Sequence, residues 1–110
     1  MKSKVSESSI QSTLIDYLTR KKHFIIRLNN IPPTQMVHGQ RVFRRMPKGS
    51  IKGLPDIAVI TDGGYVVWLE VKSSTGKQSP EQKEFQRRVE EKCGEYYVVR
   101  NIEQLIQLGF

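Results

Sequence analysis

The sequence predicts an α/β domain, a mixed β-sheet flanked by helices in the order α-β-(β)-β-β-α-β-α, with residues 1–110 expected to form one domain. Three observations carry this expectation. Apolar residues recur at helical spacing near the start of the chain. Short β-branched and aromatic runs follow, punctuated by turn residues. A Ser-Pro helix opening then separates the last two such runs.

Each element has its own local reason. Residues 5–22 read as a helix because Val5, Ile10, Leu14, Tyr17 and Leu18 recur at helical spacing. HFIIRLN (23–29) reads as a strand. Residues 30–53, rich in Gly, Pro and basic side chains, read as a loop holding one short strand around Arg41–Arg45. DIAVITD (56–62) and YVVWLEVK (65–72) read as strands joined through Asp62-Gly63-Gly64, a hairpin signal. Ser79 and Pro80 open a second helix as cap and first helical residue, with Gln82 completing a capping box. That helix is expected to run to about Cys93 and to stop at Gly94. EYYVV (95–99) reads as a strand and IEQLIQL (102–108) as a short helix.

Composition narrows the function classes. With 37% hydrophobic and 26% charged residues, the 110-residue chain can bury one core. No apolar run approaches the roughly 18 residues of a membrane span. The opening MKSKVSESS has no apolar stretch after its lysines, so no secretory signal is expected. The single cysteine, Cys93, excludes a disulfide framework and a four-cysteine zinc site, and it is expected in the core. A cytoplasmic, reducing setting is the expectation.

Charge is more telling. The formal net charge is +7, and between Asp16 and Asp56 there are nine basic residues and no acid. Segregating like charges costs self-repulsion, so a polyanion partner is expected, with nucleic acid first. Arg41, Arg44, Arg45, Lys48, Lys52 and Lys77 are the candidate phosphate contacts. Phe43, among the arginines, can stack on a base or anchor its loop. His38 lies in the same stretch, and neither it nor His23 has metal-ligand spacing.

The hairpin carries the chemistry. Side chains alternate faces along a strand, so Glu70 and Lys72 project together with Val66 and Trp68. A three-residue loop at 62–64 puts residue 61 opposite 65 and therefore Asp56 opposite Glu70; a two-residue loop leaves them diagonal. Like charges so placed destabilise a sheet unless a cation lies between them. Hard oxygen donors without a cysteine–histidine set point to Mg²⁺ or Mn²⁺. Lys72 beside such an ion suits a phosphate or an attacking water. Glu-Val-Lys alone is a common tripeptide; its combination with Pro55-Asp56 across a hairpin in a basic chain is specific.

Two polar residues fall on apolar helix faces. Glu7 and Gln11 align with Ile10, Leu14 and Leu18, although an acid after a Ser6 cap also complements the helix dipole. Gln82 aligns with Phe85, Val89 and Cys93 while serving the capping box.

GLPDIAVI, then WLEVK, then the Ser-Pro-x-Gln opening, preceded by Glu-x-x-Ile-Gln, resembles the VRR-NUC (virus-type replication-repair nuclease) domains of the PD-(D/E)xK superfamily, which share the restriction-endonuclease-like core. The resemblance spans about Glu7 to Leu105. It implies that Asp56, Glu70 and the backbone carbonyl of Val71 ligate the metal, with Glu7 approaching from the first helix. It further implies that Lys72 orients the attacking water and that Gln82 supports the lysine or the phosphate. Gly53 matches the family's Gly-x-Pro-Asp, where a missing side chain lets the turn pass near the site, and Asn29 also falls on a family position. Short versions of this kind resemble those of bacteriophages and bacteria, which implies a host cytoplasm for a phage protein.

The function expected from this is a Mg²⁺-dependent, structure-selective DNA endonuclease. The chain has little room for a sequence-reading subdomain, which favours recognition of branched DNA. Short VRR-NUC proteins resemble Holliday-junction resolvases, and paired incision of a two-fold junction needs a homodimer. A flap or nicking repair nuclease and a non-catalytic nucleic-acid-binding module are the alternatives, and an RNA substrate stays open.

Overall fold

In the computed structural model the described residues are 5–28, 34–37, 39–43, 48–49 and 51–110, with only the backbone course described for 34–37 and 41–43. The elements are α1 (Glu7–Arg20), β1 (Phe24–Arg27), β2 (Thr34–Val37), β3 (Gln40–Phe43), β4 (Ile57–Ile60), β5 (Val66–Val71), α2 (Pro80–Glu91), β6 (Glu95–Val99) and α3 (Ile102–Gln107). Four strands form a mixed sheet in the order β1-β4-β5-β6, antiparallel except for the parallel β5–β6 pair that α2 connects. The predicted α/β architecture is therefore present, and its mixed sheet arises at that parallel crossover.

The two sheet faces differ. Ile57, Val59, Val67, Leu69, Val71 and Val99 face Leu14 and Leu18 of α1 and Leu105 of α3 in one buried cluster. Burying each of these leucines contributes about 1.5–3 kcal/mol. On the opposite face α2 lays Phe85 edge-on against Trp68, with ring centroids 5.2 Å apart, and near Tyr96 at 6.0 Å. α2 thus covers the β5–β6 side of this face. On the edge strand β1, Phe24 stays 64% exposed.

Several boundaries differ from expectation. α1 starts after Ser6, whose hydroxyl accepts from the Ser9 N–H, so Val5 lies outside the helix and is exposed. The stretch 30–53 contains two strands rather than one. β2 and β3 pair antiparallel as a separate two-stranded sheet, from Thr34 with Phe43 to Val37 with Gln40. The two strands pair along one edge each, and neither carries enough apolar alternation for the pairing to be legible locally.

α2 stops at Glu91. Cys93 turns the chain at φ 62, its N–H donating to the Glu90 carbonyl while the Gly94 N–H donates to that of Val89. This is a Schellman closure with cysteine in the left-handed position. Cys93 is exposed, against the expectation that it lies in the core. Gly94 serves close approach rather than the turn, since a Cβ there would lie 2.8 Å from Val89 Cγ1.

Candidate active site

The hairpin of β4 and β5 supplies the first carboxylates. Its register pairs Ile60 with Val66 and Ile57 with Leu69, so one further step sets Asp56 against Glu70, as the three-residue loop predicts. The loop closes through the Thr61 N–H to the Tyr65 carbonyl at 2.8 Å. Beyond Ile57 the Asp56 side chain leaves the ladder: its Oδ2 accepts the Val71 N–H at 2.7 Å. Asp56 is held on the other side too, its carbonyl accepting the Leu28 N–H from the end of β1 at 2.9 Å.

Glu70 has 0% exposure. Its Oε1 accepts the Tyr96 hydroxyl at 2.5 Å, while Oε2 has no hydrogen-bond partner among the described residues. A buried carboxylate oxygen without a partner costs a desolvation penalty, so this atom is poised for a cation. Burial, first, raises the Glu70 carboxyl above the ordinary range; Tyr96 and Lys72 oppose this and the Asp56 charge adds to it. Asp56 is raised likewise by burial, against the Val71 N–H and the Lys72 charge, with Glu7 adding and Arg27 opposing. One buried and one partly buried carboxyl, both of which resist ionisation alone and gain from a nearby positive charge, fit a hard divalent cation.

Lys72 continues β5, its N–H donating to the Val99 carbonyl, and its side chain stays nearly buried at 8% exposure. Its Nζ lies 3.9 Å from Glu7 Oε1. Glu7 itself is exposed, against the expectation that it follows the buried stripe of α1, because it occupies the first turn beyond the sheet's cover. It pairs with the lysine, and no group of three or more Asp, Glu, His or Cys side chains placed to hold a metal occurs among the described residues.

Gln82 is tied into the capping box. Its Oε1 accepts the Ser79 N–H at 2.9 Å while its own N–H donates to Ser79 Oγ at 3.2 Å. The structure shows no hydrogen bond from Gln82 to Lys72 among the described residues. Gly53 does pass close, but to this helix start: a Cβ there would lie 2.4 Å from the Glu81 carbonyl, and its φ is +77. Gly53→Ala is therefore expected to cost about 2 kcal/mol or more in urea unfolding. Gly64→Ala, with open space around a φ of +83, is expected to cost about half as much. Equal losses would mean that close approach plays no part.

Three contributors escape a reading of the sequence. Tyr96 reaches Glu70 because the parallel register sets it beside Trp68 on the same face. The alternation of EYYVV hints at its face, but not at its neighbour. Gln78 Nε2 donates to Gln86 at 2.9 Å and to the Tyr96 hydroxyl at 3.4 Å, extending the network to α2. Arg100 Nη1 donates to the carbonyls of Ser73 and Gly76, pinning the loop that follows Lys72.

Of the candidate phosphate contacts, Lys48, Lys52 and Lys77 are exposed. The side chain of Arg41, with Arg44 and Arg45, lies outside the described residues, as do Asn29, His38 and the Phe43 ring. No helix among the described residues is long and apolar enough to cross a membrane.

Comparisons with known proteins bear on the fold. No protein-family model and no curated protein matches the chain. A solved structure described as a VRR_NUC domain superposes with a TM-score of 0.64 over 94% of this chain and 95% of its own length, at 20% sequence identity. The hairpin and the crossover helix thus sit in a framework already known, and the chain has the fold of a VRR_NUC domain.

Proposed function

We propose that the protein is a divalent-metal-dependent DNA endonuclease selective for branched structure, acting as a homodimeric Holliday-junction resolvase. The observation that carries the chemistry is Glu70: wholly buried, held by Tyr96 on one oxygen and without a partner for the other among the described residues, beside Asp56 and Lys72. Asp56, Glu70 and the Val71 carbonyl would hold Mg²⁺ or Mn²⁺, with Glu7 at the margin. When bound, the ion supplies Lewis-acid activation of water and screens the charge of the phosphate.

The remaining work falls to the chain. Tyr96 fixes the rotamer of Glu70, and the Val71 N–H fixes Asp56. Lys72 orients the nucleophilic water or a non-bridging oxygen, and Glu7 restrains its ammonium group. Arg100 holds the neighbouring loop against β6, while Gln82 anchors the start of α2 close to Gly53. Arg41, Arg44, Arg45, Lys48, Lys52 and Lys77 supply the sequence-independent attraction to phosphates. Two-fold related active sites on one junction would give paired, symmetric incisions.

The test is cleavage of a labelled immobile four-way junction, a flap, a nicked duplex and a plain duplex in Mg²⁺, Mn²⁺ or EDTA. Metal-dependent symmetric cutting of the junction is the expected result. Cutting of the flap or nicked duplex alone would remove the resolvase assignment and keep the nuclease. Binding without cleavage in either metal would leave a nucleic-acid-binding module and overturn the enzyme.

A further inference from the structure

The face of the sheet that carries Glu70 also carries a groove that the reaction does not use. It has a volume of about 540 Å³ between α2 and β5, with Leu54, Trp68, Phe85 and Val89 in its lining and Arg88 and Lys92 at its rim. That volume falls within the ~300–1,000 Å³ of small-molecule sites. A smaller cavity of about 280 Å³ shares Phe85 and Arg88 and extends the lining to Lys52.

Three features identify an occupant. The groove is aromatic: the Trp68 ring is half-buried, with Phe85 set edge-on at an interplanar angle of 81°. Its rim is cationic. Arg87 is consumed by Glu84 at 2.6 Å and Glu91 at 2.8 Å, whereas Arg88 and Lys92 make no ion pair among the described residues. The groove also adjoins the carboxylates. Trp68 precedes Glu70 by two residues on the same strand face, about 6.6 Å, and Leu54 precedes Asp56 by two. A purely apolar partner has no use for the two cations, while a nucleic acid strand uses both the ring and the charges.

We propose that the groove receives an unpaired base of the DNA strand whose phosphate lies at Asp56 and Glu70. The base stacks on Trp68 against the edge of Phe85, and the flanking phosphates lie against Arg88, Lys92 and Lys52. This rests on the nuclease reading and gives it a source of structure selectivity. A base inside an intact duplex cannot enter, whereas a base already unstacked at a branch enters without an unpairing cost.

Trp68 is the only tryptophan of the chain, so its emission reports on the groove directly. The full chain in EDTA is titrated with a short duplex carrying a single-stranded adenine overhang, with the same duplex bearing abasic overhang positions, and with blunt duplex. Fluorescence anisotropy of labelled DNA follows binding in parallel. The overhang is expected to quench Trp68. Removing its bases is expected to abolish the quench and weaken binding about 5- to 150-fold, the range of base–aromatic stacking. Arg88→Ala combined with Lys92→Ala is expected to lower the slope of log affinity against log salt by roughly 1.4–1.8.

Binding of all three DNAs with unchanged tryptophan emission overturns the groove assignment and leaves the nuclease reading intact. Absence of binding to any DNA, in EDTA and in Mg²⁺ alike, overturns both. Emission that changes with protein concentration alone, without DNA, assigns the groove to contact between two copies and also overturns the proposal.

Discussion

Lys72→Ala is expected to lower the single-turnover rate of DNA cleavage at least about a hundredfold, the scale of losing one preorganised charge or proton-transfer group. The residue is almost buried at the end of β5, and its charge also holds down the carboxyl pKa values of both Asp56 and Glu70. Its removal therefore has a second signature. Both carboxyls ionise at higher pH, so metal binding measured by calorimetry shifts to higher pH in the variant. Lys72→Arg keeps the charge and returns the metal titration toward normal, yet leaves cleavage impaired because a planar guanidinium cannot replace a compact ammonium. Circular dichroism is the control for the folding of each variant. Cleavage by Lys72→Ala at the parental rate would remove the lysine from the mechanism.

Metal binding is expected to stabilise the fold by a comparable margin. At a hundred times its dissociation constant, Mg²⁺ adds about 2.7 kcal/mol, roughly 10 °C in the melting midpoint of a domain of this size. The dependence on pH follows from the raised carboxyls of Asp56 and Glu70. In metal-free protein the native state holds these protons more tightly than the unfolded chain does. Their contribution therefore favours the fold at low pH. It is lost as pH rises from the unfolded carboxyl range, about 3.9–4.3, through the raised native values. Mg²⁺ acts in the opposite sense, because it requires the ionised forms and displaces their protons. The metal-induced rise in melting midpoint should thus grow with pH, vanish with EDTA, and be absent in Glu70→Gln. A midpoint indifferent to Mg²⁺ at neutral pH would remove the carboxylate pair as a metal site.

Local rules made much of the site legible. The Asp62-Gly63-Gly64 loop sets the register of one hairpin, and alternation then places Asp56 toward Glu70 with Lys72 following on the same face. Ser6 and the Ser79–Gln82 box mark helix starts through donors three residues away. These contacts span few residues, so the chain encodes them in adjacent letters. Glu7 shows the limit of such reasoning. Helical periodicity put it on the buried stripe, but its partner is set by where the start of α1 lies relative to the end of β5.

The sequence by itself determined the α/β class, the capping box at Ser79, and that Asp56 and Glu70 lie near one another with Lys72 on the Glu70 face, while leaving open whether the hairpin loop held two residues or three. Only the tertiary structure decided that β6 lies parallel to β5, which brings Tyr96 to one oxygen of Glu70 and buries the other with no partner among the described residues. It alone set Gly53 against the backbone of α2, turned Cys93 out to solvent, and paired β2 with β3 apart from the main sheet. The physical reason is separation along the chain. Asp56 and Glu70 meet through one tight turn, whereas Glu70 and Tyr96 meet only after a helix has crossed the sheet and packed, and no local pattern of residues records where that helix comes to rest.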